Sequence, residues 1–151
     1  MQHEQLRIGE LAKSTGSPVE TIRYYEREGL LPPPARSEGN YRLYGATHVE
    51  RLKFIRHCRS LDMTLVEIRE LLAFRDAPDE SCGEVNALLD KHIGHVADRI
   101  TELQGLEIQL RSLRHLCQHA QAIKDCGILH GLNSAEGGTP TNFGTHGGGC
   151  H

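Results

Sequence analysis

Cysteine is the residue type with the most chemistry to offer in this chain, with five in 151 residues, at positions 58, 82, 117, 126 and 150. Cys117 and Cys126 stand nine positions apart around a short polar loop. Two thiols leave most divalent metals short of ligands, so the pair needs a third donor from elsewhere. Cys58 is the cysteine that best fits a buried and inert thiol. The chain carries no signal-peptide pattern and no apolar run near the length of a membrane span, so a cytoplasmic location without membrane contact is the expectation. In that reducing compartment thiols act as ligands or sensors rather than as staples.

A second set of residues suits polyanions. Thr21, Arg23, Tyr24 and Tyr25 form one cluster, and Tyr41 and Arg42 form another of the same kind. Arginine bridges phosphates or reads guanine edges, while tyrosine hydroxyls donate to phosphates and the rings pack on sugars. A small domain also needs aromatic core residues, and one Tyr of each cluster, with Tyr24 and Tyr44 the candidates, would serve there. Charge follows the same division. Residues 1 to 60 hold ten Lys/Arg against seven Asp/Glu, whereas residues 61 to 151 hold seven against thirteen. A basic first part joined to an acidic second part fits a head that meets a polyanion and a body that does not.

The elements that must carry these residues can be read from helix starts. Ser17-Pro-Val-Glu20, Thr47-His-Val-Glu50, Thr64-Leu-Val-Glu67 and Ser81-Cys-Gly-Glu84 each have the capping-box spacing, in which two side chains satisfy the free N–H groups of a first turn. The stripe Ile8, Leu11, Ala12 predicts a short helix ending near residue 15, with Gly16 as its left-handed exit. A second helix then runs from Pro18 to about Glu28, which makes a helix-turn-helix. Three consecutive prolines at 32 to 34 exclude a helix. A Gly-Asn turn at 39 and 40 predicts a hairpin or wing that ends at Tyr44. Helices at Thr47–Ser60 and Thr64–Phe74 complete a four-helix head.

Ile8-Gly-Glu-Leu-Ala-Lys13, Thr21-Ile-Arg-Tyr-Tyr-Glu-Arg-Glu-Gly-Leu-Leu31 and Asn40-Tyr-Arg-Leu-Tyr44 together resemble the signature of the MerR family of transcriptional regulators. His57-Cys-Arg-Ser-Leu-Asp-Met63, Cys82-Gly-Glu-Val-Asn86 and Cys126-Gly-Ile-Leu129 resemble the lead- and cadmium-responsive branch of that family. Many relatives have Leu-Gly-Phe where this chain has Leu61-Asp62-Met63, a departure that fits the branch. The resemblance spans about residues 7 to 132 and implies DNA contacts at Lys13, Thr21, Arg23, Tyr24, Tyr25, Tyr41 and Arg42. It further implies a homodimer on a pseudo-palindromic promoter operator, with RNA polymerase as the second partner. Activation would come from distortion of the duplex once metal is bound.

From Ser81 the sequence reads as one long helix. Steps of seven from Cys82 reach Leu89, Val96, Leu103, Leu110 and then Cys117, with Val85, Ile93, Ile100, Leu106 and Leu113 between them. His92, Arg99 and Glu107 interrupt the stripe, which otherwise has the period of a coiled coil. No second long amphipathic segment exists in the chain to cover it, so the partner must be another copy. Thirty-five residues of helix extend roughly 50 Å, which forbids Cys82 and Cys117 of one chain from sharing an ion. Two copies paired antiparallel about an axis near residues 99 and 100 would set Cys82 of one beside Cys117 of the other, with Cys126 returning on the loop.

Three thiolates make a soft site suited to Pb(II) or Hg(II), with Cd(II) and Zn(II) the other candidates; zinc would need a fourth donor such as His119 or water. Copper(I)-sensing relatives lack a cysteine at the position of Cys82, which argues for a divalent ion. The fold class expected is therefore mainly α, a winged helix-turn-helix head plus a long antiparallel coiled-coil dimerisation helix. Residues 1–76 form the DNA-binding domain, 77–116 the linker and coiled coil, 117–132 the metal loop with a short terminal helix, and 133–151 a flexible Gly/His/Cys tail. Within that tail His146, Cys150 and His151 are candidates for a second, weaker site. A thiol enzyme is the rival reading, but Cys58 beside His57 is its one adjacent pair within the folded part, and neighbouring helical residues face different ways. A metal-buffering protein would explain the cysteines and not the Arg-Tyr clusters.

Overall fold

The computed structural model describes residues 5–134. They fall into two compact units, which divide between Leu88 and Leu89.

In the first unit α1 (Ile8–Thr15) and α2 (Val19–Arg27) form the helix-turn-helix. Gly16 closes α1 at φ 69°, a left-handed conformation that costs glycine nothing. The turn is pinned from outside, because Arg56 donates from Nη1 to the Thr15 carbonyl at 2.6 Å. Strands β1 (Ala35–Arg36) and β2 (Arg42–Leu43) pair antiparallel, Ala35 opposite Leu43 and Arg36 opposite Arg42. Asn40 turns the hairpin at φ 63°, and Tyr44 extends it by pairing with Leu6. Helices α3 (Ala46–Ser60) and α4 (Leu65–Arg75) follow, as the sequence predicts within a residue.

The four helix starts are not satisfied alike. At α4 the expected box is present: Glu67 N–H donates to Thr64 Oγ1 at 3.2 Å, and Thr64 N–H donates to Glu67 Oε2 at 2.8 Å. At α5 (Gly83–Arg114) Gly83 N–H donates to Ser81 Oγ at 3.2 Å. Helix α2 takes Pro18 rather than Ser17 as its capping residue. Helix α3 departs further, since Gly45 precedes its first residue and the third position of the helix falls on His48 instead of Glu50. The imidazole does the work expected of a carboxylate. Nδ1 accepts the Gly45 N–H at 3.1 Å, and Nε2 lies 3.0 Å from the Pro32 carbonyl. A single buried ring thereby closes the helix start and anchors the proline loop.

The core of this unit is built from Leu11, Ile22, Tyr25, Leu30, Leu31, Tyr44, Leu52, Ile55, Cys58, Met63, Ile68 and Leu72. Helices α2, α3 and α4 contribute at the three- and four-residue spacing of one apolar face, and α1 adds Leu11 with the partly buried Ile8 and Ala12 beside it. Cys58 is the buried thiol the sequence suggests, and its burial pushes the thiol pKa up.

Helix α5 is one element of 32 residues, about 48 Å at the standard rise. Among the described residues nothing covers its apolar stripe: Leu89, Ile93, Val96, Ile100, Leu103 and Leu110 are all exposed. After α5 the second unit continues with a 3-10 turn (Ile123–Asp125) and α6 (Gly127–Ser134). Among the described residues, no helix is long and apolar enough to cross a membrane.

Candidate functional site

Two separate groups of residues carry the chemistry, one in each unit, together with Cys82 at the start of α5.

In the second unit the structure brings Cys117 and Cys126 together. The last turn of α5 is followed by a tight exit, with the Cys117 N–H directed at the Arg114 carbonyl at 3.4 Å and Arg114 Nη1 donating to the Cys117 carbonyl at 2.6 Å. The chain returns through the 3-10 turn, whose end is fixed by the Cys126 N–H on the Ile123 carbonyl at 3.1 Å. Helix α6 then packs back on the end of α5 through two glycines one turn apart. A Cβ on Gly127 would lie 2.3 Å from the Leu116 carbonyl oxygen, and one on Gly131 would lie 2.7 Å from Leu116 Cδ1. At Gly127 the neighbour is backbone, so only glycine permits that approach, whereas at Gly131 the Leu116 side chain could turn aside; the Gly127 contact holds the start of α6, and Cys126 just before it, close to the end of α5.

Cys126 immediately precedes α6, facing N–H groups that have no partner inside the helix. The Leu129 N–H is the main cause holding the Cys126 thiol below its ordinary pKa; partial burial opposes it, and the Ile128 N–H and the adjacent Cys117 thiol add to it. A thiol held toward its anion is prepared for a cation. Cys117 Sγ also lies 3.3 Å from the carbonyl of His119. The His119 side chain is exposed, and Cys82 is an exposed free thiol one residue before α5. His146, Cys150 and His151 lie outside the described residues. The pair that the structure brings together, Cys117 and Cys126, offers sulfur donors, which suit a thiophilic ion.

In the first unit the Arg-Tyr clusters converge. A concavity of about 350 Å³ is lined by Ile8, Arg23, Glu26, Arg27 and Arg42, so Arg23 of α2 and Arg42 of the wing share one surface. Tyr24 is 40% exposed and Tyr41 56%, with Arg7 stacked 4.5 Å over the Tyr41 ring. Thr21 is half-buried on the same helix. Tyr25 has a different position from the one its sequence cluster suggested. At 9% exposure it belongs to the core, because it follows Ile22 by three residues and lies on the same inward face of α2. Of the two tyrosines proposed for the core, Tyr44 is there and Tyr24 is outside.

Lys13 lines a second cleft of about 550 Å³ with Lys53, Arg56, His57 and Ser60 of α3. None of these α3 residues is among the DNA contacts that the sequence suggests. Their spacing of three and four was the available signal, since it gathers cationic side chains on one helical face.

A helix-turn-helix with an adjoining wing and cationic surfaces defines a DNA-binding regulator rather than an enzyme. Residues 6–74 match the model described as MerR HTH family regulatory protein, and residues 49–113 match that described as MerR, DNA binding. The chain belongs to the MerR family of transcriptional regulators. It is similar to PbrR691 from Ralstonia metallidurans CH34, solved in complex with lead(II), at 56% identity and a TM-score of 0.76, covering 84% of this chain and 98% of that one. A Haemophilus influenzae protein named HTH-type transcriptional regulator ZntR homolog is 51% identical over 72% of this chain and 81% of its own length. A MerR from Bacillus megaterium MB1, solved with mercury(II), is 33% identical with a TM-score of 0.65, over 85% of this chain and 99% of that one.

Proposed function

We propose that this protein is a homodimeric, metal-responsive regulator that binds a promoter operator and activates transcription of heavy-metal resistance genes when Pb(II) is bound. The observation that carries the metal reading is the juxtaposition of Cys117 with Cys126, whose thiol is held toward its anion. Cys82 of a partner copy supplies the third sulfur. The exposed stripe on α5 supports that partner, because an apolar seam of coiled-coil period left open to water favours pairing with its like. An antiparallel pairing gives two equivalent sites per dimer.

Lead is preferred because three sulfurs suit an ion whose lone pair fills the remaining space, and because a relative at 56% identity was solved with lead(II). The mercury(II) complex of the Bacillus relative keeps Hg(II) as the alternative, with Cd(II) and Zn(II) behind it. On the DNA side, Arg23, Tyr24, Tyr41 and Arg42 face the operator with Thr21, and the cleft of Lys13, Lys53 and Arg56 takes a flanking phosphate. RNA polymerase is the partner that reads the result. For an ion to switch transcription it must be held more tightly by the activating conformation than by the resting one, since equal affinities shift nothing.

A mixed dimer tests the shared site. Cys82→Ser and Cys117→Ser homodimers each lack a ligand at both ends and should lose the three-sulfur absorption of bound Pb(II). In the heterodimer one end recovers Cys82 from the Cys117→Ser chain and Cys117 with Cys126 from the other chain. Differently tagged chains, co-expressed and purified as the heterodimer, should bind one Pb(II) strongly. A heterodimer with no strong site would mean that each ion draws its ligands from one chain.

A further inference from the structure

The carboxylate of Glu26 sits where a surface for a polyanion gains nothing from negative charge. It lies on α2 within the concavity lined by Arg23, Arg27 and Arg42, yet its side chain is only 13% exposed. One carboxylate oxygen, Oε1, accepts the hydroxyl proton of Tyr44. The other, Oε2, accepts from Arg42 Nη1 at 3.2 Å. Tyr44 is an immovable anchor: it is fully buried, its N–H and carbonyl are both paired with Leu6 at 2.8 Å, and its ring meets His48 edge-on at 5.1 Å. Burial, then the bond to Glu26 and the nearby negative charge, push the Tyr44 hydroxyl up to about 12, so it remains a donor throughout the physiological range.

Glu26 therefore joins three things: the helix that carries it, a core hydroxyl, and the guanidinium of the wing. We propose that Glu26 is a positioning residue for DNA recognition, fixing Arg42 of the wing beside Arg23 and Arg27 of α2 so that the three present one set arrangement to a duplex. This rests on Arg42 facing the operator. The physical gain is preorganisation. An arginine on a two-residue strand has many rotamers to lose on binding, and a carboxylate locked to the core removes much of that loss beforehand. The guanidinium keeps further N–H donors for a phosphate, because one contact to Oε2 leaves the rest of its fork available. A carboxylate placed here only by chance would instead weaken binding by repelling phosphate.

The test uses the full-length dimer and a fluorescently labelled duplex that the protein itself selects from a randomised pool. Glu26→Gln keeps an acceptor for Tyr44 but loses the charge that holds Arg42. Glu26→Asp keeps the charge but is too short to reach both partners. Each should weaken binding about 5- to 10-fold, as should Arg42→Ala, and Glu26→Gln with Arg42→Ala together should be no weaker than Arg42→Ala alone. Thermal melting of each variant checks that the head is folded, and Glu26→Asp stands in if Glu26→Gln melts early. Unchanged or tighter binding by the Glu26 variants, or losses that multiply in the double variant, would overturn the positioning role while leaving Arg42 as a contact. A silent Arg42→Ala would remove Arg42 from the operator surface, and the role of Glu26 with it.

Discussion

Replacing Gly127 by alanine places one methyl group where the metal loop closes. The added Cβ would sit 2.3 Å from the Leu116 carbonyl oxygen and 3.1 Å from its carbon. Carbon and oxygen in favourable contact stand about 3.3 Å apart, so the start of α6 must retreat by about 1 Å. Helix propensity does not oppose the change, since alanine is at least as good as glycine in a helix. The cost falls on Cys126, the residue immediately before the displaced one. Metal–sulfur distances tolerate only about 0.2 Å, and disturbing the support of a ligand costs roughly 10- to 100-fold in affinity, or about 1.4–2.7 kcal/mol. Titration with Pb(II) against a competing chelator, followed by thiolate-to-lead absorption, measures this directly. Gly105→Ala is the control, because a Cβ there meets nothing within 4 Å. Wild-type affinity in Gly127→Ala would refute the claim that the close approach of α6 to Leu116 assembles the site.

Arg23→Ala should weaken operator binding by about 1–3 kcal/mol and leave Pb(II) affinity unchanged, measured on the same preparation by anisotropy and by absorption. Tyr44 provides a signature in alkali. Its pKa is about 12 in the folded protein against 10.0 for the free group, so its contribution to stability is complete below pH 10 and is lost as pH rises through about 12. Urea melts of wild type should therefore lose up to about 2–3 kcal/mol more than those of Tyr44→Phe across that window, and parallel losses would show that the hydroxyl is not held.

Sequence alone determined whatever is settled within a turn of helix or by a strict period. The Thr64–Glu67 box is local: both partners lie within four residues, and the structure contains both bonds. The seven-residue stripe from Cys82 to Cys117 likewise needed no tertiary information, because the period is a property of the helix itself. The head with its wing was legible for the same reason, through Gly16, the three prolines and the Gly-Asn turn. Other features were decided by groups distant along the chain. His48 displaced the expected Glu50 box because its ring also reaches Pro32, sixteen residues earlier. Which tyrosine of the Tyr24-Tyr25 pair faces outward depended on which face of α2 turns to the core, and adjacent positions differ by about 100° around a helix. The tie from Glu26 to Tyr44 and Arg42 crosses eighteen and sixteen residues. The meeting of Cys117 and Cys126 depended on Gly127 letting the start of α6 settle against the Leu116 backbone, a steric fit that no spacing of cysteines encodes.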